Sequence, residues 1–319
     1  MRKHEYQRFS RQRLSPDARI ERHVQPVPGG REILWCASIV LAGLIVAVAT
    51  RGAETPSAPR LQTETANAFS HYVELTEARN TEELRAGAPE FRVDRLNEKQ
   101  REAAYEALKR GEVKMQRLDT RDGAKKIECP HGMIHHWAGL IFIPGANLED
   151  VLGVLQDYDH HAEYYAPDVE RSRTESHDGD HFRVMLRFHR HKVITVVLNT
   201  EHEVRYFRDS AARAHSRSSA VRISQVENPG RDNEREKPEG DDDGFLWKME
   251  TWWRMEERDG GVYVQSEVAS LTRDIPTGLG WLIGPFVTSV PRETLAATLN
   301  ATRRAVQARA RGKATATNP

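Results

Sequence analysis

The chain has 319 residues, of which 38% are hydrophobic and 7% aromatic, so it can form one large or two modest domains with a real core. Lys plus Arg and Asp plus Glu both number 47, which gives a formal net charge of zero. General nucleic-acid binding requires a basic excess and is therefore excluded. The chain contains two cysteines, Cys36 and Cys129, so we expect neither a structural disulfide nor a cysteine-based metal site.

Residues 1–32 are polar and basic, and an uncharged hydrophobic run, Ile33 to Thr50, follows them. The run has the length of a short membrane span, and the preceding basic residues predict a cytoplasmic N-terminus. Ala47 and Ala49 form an A-x-A cleavage site, so residues 33–50 are either a cleaved signal peptide or an uncleaved membrane anchor. We expect the rest of the chain to be exported, in the periplasm or at the outer face of a bacterial inner membrane.

The sequence pattern of residues 51–128 predicts a linker and a small helical spacer that packs on the main domain. One predicted helix carries four residues at helical spacing, namely Phe69, Tyr72, Val73 and Thr76. Asn97 and Gln100 form the capping-box start of a second helix over residues 98–110, and Gly111 is suited to end it.

Residues 129–311 change to a strand pattern. The first strand, residues 134–143, ends at the turn dipeptide Pro144-Gly145, and Asn147 caps a helix after it. Further strands are predicted over residues 181–190, 193–200, 215–226, 244–256 and 262–271. We expect a hairpin turn at Gly260-Gly261, a charged surface loop over residues 227–243, a last helix starting at Pro291, and a disordered tail over residues 312–319.

Two segments carry a family resemblance. IHHWAGLIFIPGANLEDVLGVLQDYDHHAEYYAPDV resembles the opening of START/polyketide-cyclase-like domains of the SRPBCC superfamily, and EVASLTRDIPTGLGWLIGPFVTSVPRETL resembles their closing part. The chain is similar in particular to uncharacterised bacterial exported proteins of this kind, over about residues 129–308. The resemblance implies a cavity between sheet and C-terminal helix for lipids, isoprenoids, sterols or aromatic polyketides.

The order of the elements predicts an α+β helix-grip fold, in which a curved antiparallel sheet wraps around a long C-terminal helix. Side chains on the apolar strand faces and the helix, with two charged groups, are the candidate ligand-binding residues. They are Trp137, Phe182, Leu186, Phe245, Trp247, Met249, Trp253, Glu267, Arg273, Trp281, Phe286, Leu295 and Leu299. Trp281 and Phe286 either gate the cavity or cap the core.

Catalytic and metal sites have weaker support. The histidine pairs lack the spacing of a metal motif, and no G-x-S-x-G motif occurs, so we predict no metal, no cofactor and no catalytic residue. Glu267 and Arg273 either face inward as acid–base or anion-holding groups, or a Glu267–Arg273 or Arg273–Asp274 ion pair fixes the strand end. Arg183 and Arg187 alternate with the apolar face and are expected to be exposed.

The sequence therefore predicts a binder or carrier of a hydrophobic small molecule, such as a lipid, quinone or isoprenoid, in the cell envelope. Residues 33–50, if uncleaved, would also contact the membrane. One alternative is a cyclase/dehydratase-type enzyme that uses Glu267, Arg273 or a histidine. Another is an interaction module whose helical spacer docks a protein partner and whose cavity is empty.

Overall fold

A computed structural model describes residues 60–85, 90–191, 195–274 and 280–317, with side chains of the last helix described from residue 289 to 313. The predicted basic segment and the signal peptide or anchor, residues 1–32 and 33–50, lie outside the described residues. None of the described helices is long and apolar enough to cross a membrane.

The described chain forms five α-helices. They are α1 (Thr63–Glu83), α2 (Glu98–Lys109), α3 (Leu148–Leu155), α4 (His161–Tyr164) and α5 (Gly280–Thr317). Two short 3₁₀ helices cover Arg92–Arg95 and Tyr158–His160. The predicted caps are confirmed, since the Asn97 side chain accepts from the Gln100 amide and Asn147 forms a capping box with Asp150.

The strands form one main sheet and a small hairpin. They are β1 (Lys114–Arg117), β2 (Arg121–Asp122), β3 (Lys125–Lys126), β4 (Gly132–Pro144), β5 (Val169–Asp178), β6 (His181–His191), β7 (Thr195–Arg208), β8 (Arg213–Glu227), β9 (Arg235–Glu236), β10 (Lys248–Arg258) and β11 (Gly261–Arg273). The main sheet is antiparallel, in the order β1-β4-β11-β10-β8-β7-β6-β5, and β9 pairs with β8. Its two edges are β1 and β5, and β2 pairs with β3.

Both faces of the sheet are covered by helices. On the inner, concave face, α3 and α5 pack on Ile141, Ile143 and Val264. On the outer face, α1 packs through Phe69 and Tyr72 on β10 and β11. The second helix, α2, packs on β4 on the same face. A curved antiparallel sheet around a long C-terminal helix is the predicted helix-grip fold, which the structure confirms.

Several element bounds differ from the prediction. The hairpin turn consists of Asp259 and Gly260, both with positive φ, because Arg258 already pairs with Gly261. An added Cβ at Gly261 would lie 2.4 Å from the Ile143 carbonyl oxygen, so glycine is needed there for close strand packing. The helix predicted to start at Pro291 begins at Gly280 and extends to Thr317, beyond the predicted start of the tail.

Two strands also start elsewhere than predicted. The sheet begins at β1, within the segment predicted as a helical spacer. The strand predicted from Gly244 begins at Lys248, because Gly244 has a φ of +69° and the Asp242 carboxylate accepts from the Gly244 amide in a turn. The charged loop over residues 227–243 contributes the short strand β9.

Candidate functional site

Two neighbouring rows of inner-face residues cross the middle of the sheet from β4 to β8. The first row is Trp137, Val268, Thr251 and Ser218, and the second is Gly139, Ser266, Trp253 and Ser216. Since residues directly opposite on neighbouring strands lie side by side, Trp253 has a serine on either side, and Trp137 lies beside Val268. We call the half of the concave face around these two rows the inner-face site.

One side of this site is closed by packed core. The side chain of Leu299, from α5, lies so close to Gly139 that an added Cβ would be 2.4 Å from it. Leu295 and Leu299 are buried with Met255 in the main hydrophobic cluster. Both leucines lie between helix and sheet as predicted, and their contact with a ligand stays a prediction.

The other side of the site is less covered. Trp137, Met249, Trp253 and Val268 are only half-buried, although they project from the same concave face as the buried residues of the main cluster. Apolar side chains that converge on a concave surface form the usual lining of a small-molecule site. Among the sequence-predicted residues, the structure therefore groups Trp137, Met249 and Trp253 on one face.

Two hydroxyl groups flank Trp253. Ser216 and Ser266 are its direct partners on β8 and β11, and they are 2% and 0% exposed. The Oγ atoms of both serines lack a hydrogen-bond partner among the described residues. A buried polar group without a partner is costly, and a polar atom of a molecule that displaced the covering side chains would remove that cost.

A buried histidine lies on the same face, on β7. The Nε2 atom of His202 is 2.8 Å from Thr200 Oγ1, and its Nδ1 atom is 3.5 Å from Ser218 Oγ. Burial lowers the pKa of His202 to about 4, so the ring is neutral at physiological pH. It provides a neutral polar edge beside the first row of the site.

Other predicted apolar residues lie outside the two rows. Phe182 is buried on the inner face at β6, away from the two rows. Its ring stacks on that of His177, with 4.1 Å between the ring centroids. Leu186 packs with Tyr165 in a separate small cluster. Phe245 precedes β10 and lies under the guanidinium group of Arg273. The side chains of Trp281 and Phe286 lie outside the described residues.

Trp247 is on the other side of the sheet from the face predicted for it. It packs with Phe69 of α1 and Leu271 on the outer face, and its indole nitrogen donates to Asp242 at 3.0 Å. The reason is the turn at Gly244, which takes Trp247 out of the regular alternation of β10. Trp247 is therefore part of the contact between helix and sheet.

The prediction that Glu267 and Arg273 face inward is wrong. Both alternate in β11 with inner-face residues such as Val268, and therefore belong to the outer face. Of the two alternative ion pairs, Glu267–Arg273 is replaced, because Glu267 pairs with Arg79 of α1 and Arg92. The outer face carries a charge cluster that the sequence did not predict.

That cluster consists of four arginines, two glutamates and one histidine. We call it the buried charge network, and its members are Arg79, Glu83, Arg92, Arg95, His136, Arg254 and Glu267. Glu83 accepts from Arg254 at 2.8 Å, and Glu267 accepts from Arg92 at 3.0 Å. The network joins α1 and the first 3₁₀ helix to β10 and β11.

A chain of hydrogen bonds fixes His136 within this network. The Thr120 amide donates to the Tyr72 hydroxyl at 2.8 Å, which leaves the hydroxyl proton for Nδ1 of His136, also at 2.8 Å. Nε2 of His136 then donates to Glu267 at 2.9 Å. Burial lowers the pKa of His136, even though Glu267 opposes this, so the ring is neutral and the contact is a hydrogen bond.

Glu267 is ionised despite its burial. Burial alone would raise the pKa of Glu267, but the hydrogen bond from His136 and the charges of Arg79 and Arg92 hold the pKa well below its usual range. Glu267 and His136 are 2% exposed, and α1 covers them. A Tyr–His–Glu chain of this kind is chemically suited to proton transfer, but here a substrate has no access to it.

The predicted exposure of Arg187 is also wrong. Arg187 is 3% exposed, because it lies between Glu170 and Glu234 and donates to both carboxylates at 2.9–3.1 Å. Glu234 belongs to the charged loop after β8, which folds over β6. Arg183 is solvent-accessible, as expected.

Sequence reasoning missed Ser216, Ser266 and His202. The segment His215–Val226 was interpreted only as a polar strand. Alternation of Ser216 and Ser218 with Arg217 was the available signal, because it places both hydroxyls on the face opposite the arginine. For metals, no group of three His, Cys, Asp or Glu side chains within the described residues is placed to hold an ion.

No protein-family model matches the chain, and no curated protein sequence matches it. Solved structures match at low identity. A STAR-related lipid transfer protein from Xanthomonas axonopodis is 17% identical, over 60% of this chain and 98% of its own, with a TM-score of 0.38.

Two other solved structures match at a similar level. The Zhui aromatase/cyclase from a Streptomyces species is 13% identical, over 58% of this chain and 99% of its own, with a TM-score of 0.36. Human STARD10 is 9% identical, over 70% of this chain and 84% of its own, with a TM-score of 0.38. Because these TM-scores are low, the helix-grip fold rests on the strand order and helix placement of this chain itself.

Proposed function

We propose that this protein binds a hydrophobic small molecule with at least one polar atom in the inner-face site, and that it does so in the cell envelope. The ligand class is a lipid, quinone or isoprenoid-like compound. Its apolar body would cover Trp137, Met249 and Trp253. A polar atom of the ligand would bond to the hydroxyl of Ser216 or to that of Ser266, which lie on either side of Trp253.

The single observation that carries the proposal is the pair of buried hydroxyls of Ser216 and Ser266, which have no hydrogen-bond partner among the described residues and lie beside a half-buried tryptophan. A closed protein core rarely retains such groups, because each unmade hydrogen bond costs about 1–3 kcal/mol. A ligand with a carbonyl or hydroxyl group would satisfy one of them, or both if it carries two such groups, and its apolar part would bury the indole.

The enzyme alternative is weakened by the position of its candidate residues. Glu267 and His136 lie on the outer face beneath α1, and Glu267 is held ionised by three partners. His202, on the inner face, has a pKa near 4 and is a poor base at neutral pH. Binding without chemistry is the function that these side chains support best.

The interaction-module alternative is weakened in a different way. It requires the helical spacer to offer an apolar face to a partner. In the described structure, α1 buries Phe69, Tyr72 and Val73 against the chain's own sheet. That face is therefore already occupied.

The test is native mass spectrometry with organic extraction, applied to the full-length chain purified from a cell-envelope fraction. We expect a co-purifying hydrophobic compound of defined mass, released by solvent. Its mass would identify the ligand class. A folded protein that stays empty after incubation with envelope lipids would refute the proposal.

A further inference from the structure

A second concave surface lies on the outer face, opposite the inner-face site. It is a groove of about 550 Å³ between the sheet edge and the first 3₁₀ helix with α2. Its lining residues are Arg92, Val93, Arg95, Leu96, Ala104, Lys114, Met115, Gln116, Ala138, Gly139, Leu140 and Gln265. We call it the outer-face groove, and its volume is in the range of small-molecule sites.

The groove has an apolar floor and a basic rim. Leu96, Ala104 and Leu140 contribute apolar surface, and Arg92, Arg95 and Lys114 contribute positive charge. No carboxylate is among the described residues that line it. A surface of this composition is complementary to a molecule with an apolar part and an anionic head.

The buried charge network beside the groove has an excess of positive charge. Its four arginines make ion pairs, among the described residues, only with Glu83 and Glu267. His136 is neutral, so within the network four positive charges face two negative charges, and Glu90 adds a third negative charge near Arg254. Two of these arginines, Arg92 and Arg95, line the groove.

Two nitrogens of the network, Nε of Arg79 and Nε of Arg92, also lack a hydrogen-bond partner among the described residues. The Nε atom of Arg92 is buried and makes no hydrogen bond within the described structure. A buried donor without an acceptor is costly, and an anion placed in the groove could offer one. Cavity, charge excess and unpartnered donor are independent observations, and all three favour an anion at this place.

We infer that the outer-face groove binds a single-chain anionic amphiphile, whose carboxylate or phosphate head lies between Arg92, Arg95 and Lys114. The apolar chain lies on Leu96, Ala104 and Leu140. Arginine and lysine bind such heads through charge-assisted hydrogen bonds, which are stronger than neutral ones. The site is separate from the proposed inner-face site.

The probes are octanoate, octyl phosphate, octanol and inorganic phosphate, titrated calorimetrically into the full-length chain at low salt. We expect both eight-carbon anions to bind at least about tenfold more tightly than octanol, because octanol lacks the charged head. Octyl phosphate should also exceed inorganic phosphate. A carboxylate preference would point to fatty acids, and a phosphate preference to lysophospholipid-like heads.

Lys114→Gln and Arg110→Gln are the matched variants. Both residues pair with Glu112 at the surface, but only Lys114 lines the groove. We expect Lys114→Gln to weaken octanoate about threefold to tenfold and Arg110→Gln to leave it unchanged. Both side chains are solvent-accessible, and thermal unfolding checks that both variants fold.

Three results would overturn the inference. They are octanoate binding no tighter than octanol, inorganic phosphate binding as tightly as octyl phosphate, and Lys114→Gln binding octanoate like the unmodified chain. The Ser266→Ala variant distinguishes binding at the two sites, since Ser266 lies on the inner face. If Ser266→Ala weakens octanoate and Lys114→Gln does not, the anion binds at the inner face and the inference fails.

Discussion

The hydroxyl of Ser266 has opposite effects on stability and on the proposed binding. Its Oγ is buried and has no partner in the part of the chain that the structure describes, whereas the Oγ of Ser219, also on the sheet, donates to Glu250 at 2.6 Å. An unsatisfied hydroxyl destabilises the empty protein, while a bonded one stabilises it. A hydroxyl that destabilises the empty fold is best explained by a bound partner.

Ser266→Ala should therefore raise or leave unchanged the free energy of unfolding of the ligand-free protein, by up to about 1 kcal/mol. The same variant should retain less of the extractable ligand. Urea denaturation of the delipidated chain and mass spectrometry of the extract measure the two effects.

Ser219→Ala is the control, since Ser219 faces Glu250 on the outer side of the sheet. It should lower the free energy of unfolding by about 1 kcal/mol and leave ligand retention unchanged. If Ser266→Ala lowers stability as much as Ser219→Ala does, the Ser266 hydroxyl has a partner in the empty protein, and the argument for the inner-face site fails.

At the scale of elements, α1 is attached to the sheet by charge as well as by apolar contact. Phe69 and Tyr72, in the N-terminal half of α1, pack on the sheet. Glu83, at the C-terminal end of α1, forms an ion pair with Arg254 of β10. Removing one partner of a buried ion pair leaves the other charged and buried, which is strongly destabilising. The network therefore makes α1 an integral part of the domain.

Glu267→Gln should lower the free energy of unfolding by about 3 kcal/mol at neutral pH, because Arg79 and Arg92 would keep their charges with only Glu83 near them. The folded-state pKa of Glu267 is depressed, so its contribution is present above its ordinary pKa of 4.5 and is lost as the pH falls towards the folded-state pKa. The difference between the two proteins should thus shrink below about pH 4.5.

Denaturant unfolding at pH 7 and at pH 3 measures this difference. Glu82→Gln is the control, because Glu82 is on the same helix but its pair with Arg85 is largely solvent-exposed. That change should have little effect at either pH. A Glu267→Gln variant as stable as the unmodified protein at pH 7 would contradict the role given to the network.

The sequence predicted the positions of strands and helix caps better than it predicted what covers each face of the sheet. Alternation of Phe182 and Val184 with Arg183 was sufficient to assign two faces to β6, and Asn147 was sufficient to start α3. The sequence pattern did not show that helices cover both faces. Arg187 and Glu267 alternate with apolar residues. Such alternation usually indicates that the charged side chain is exposed to solvent or contacts a ligand. Here both side chains are instead buried in ion pairs.

The site was predicted in part for a related reason. Trp137, Met249 and Trp253 were recognisable as large apolar residues of one face. Ser216 and Ser266 were not, because a serine in a strand has no distinct pattern until its lack of a partner is known. Trp247 was assigned to the wrong face because the turn at Gly244 interrupts the alternation.

For the whole molecule, we expect export to depend on the hydrophobic run. The full-length chain, produced in a bacterial host, should fractionate with the cell envelope, and deletion of residues 33–50 should leave it in the cytoplasm. Fractionation and immunoblotting measure this. Equal distribution of both forms would remove the envelope from the proposed function.

Ala49→Leu distinguishes a cleaved signal peptide from an anchor. It alters the A-x-A site and preserves the hydrophobic run. If the segment is cleaved, the intact mass of the Ala49→Leu protein should include residues 1–49, and that of the unmodified protein should not. If it is an anchor, both proteins should retain these residues.

The two edges of the main sheet also affect how the protein behaves at high concentration. β1 has four residues, two of them basic, and β5 is largely exposed, carries charges of both signs and has two irregularities in its register with β6. Short, charged or bulged edges are poor templates for strand addition from another molecule. Local opening of the domain, for example when a ligand enters or leaves, should therefore not start intermolecular β-aggregation at either edge.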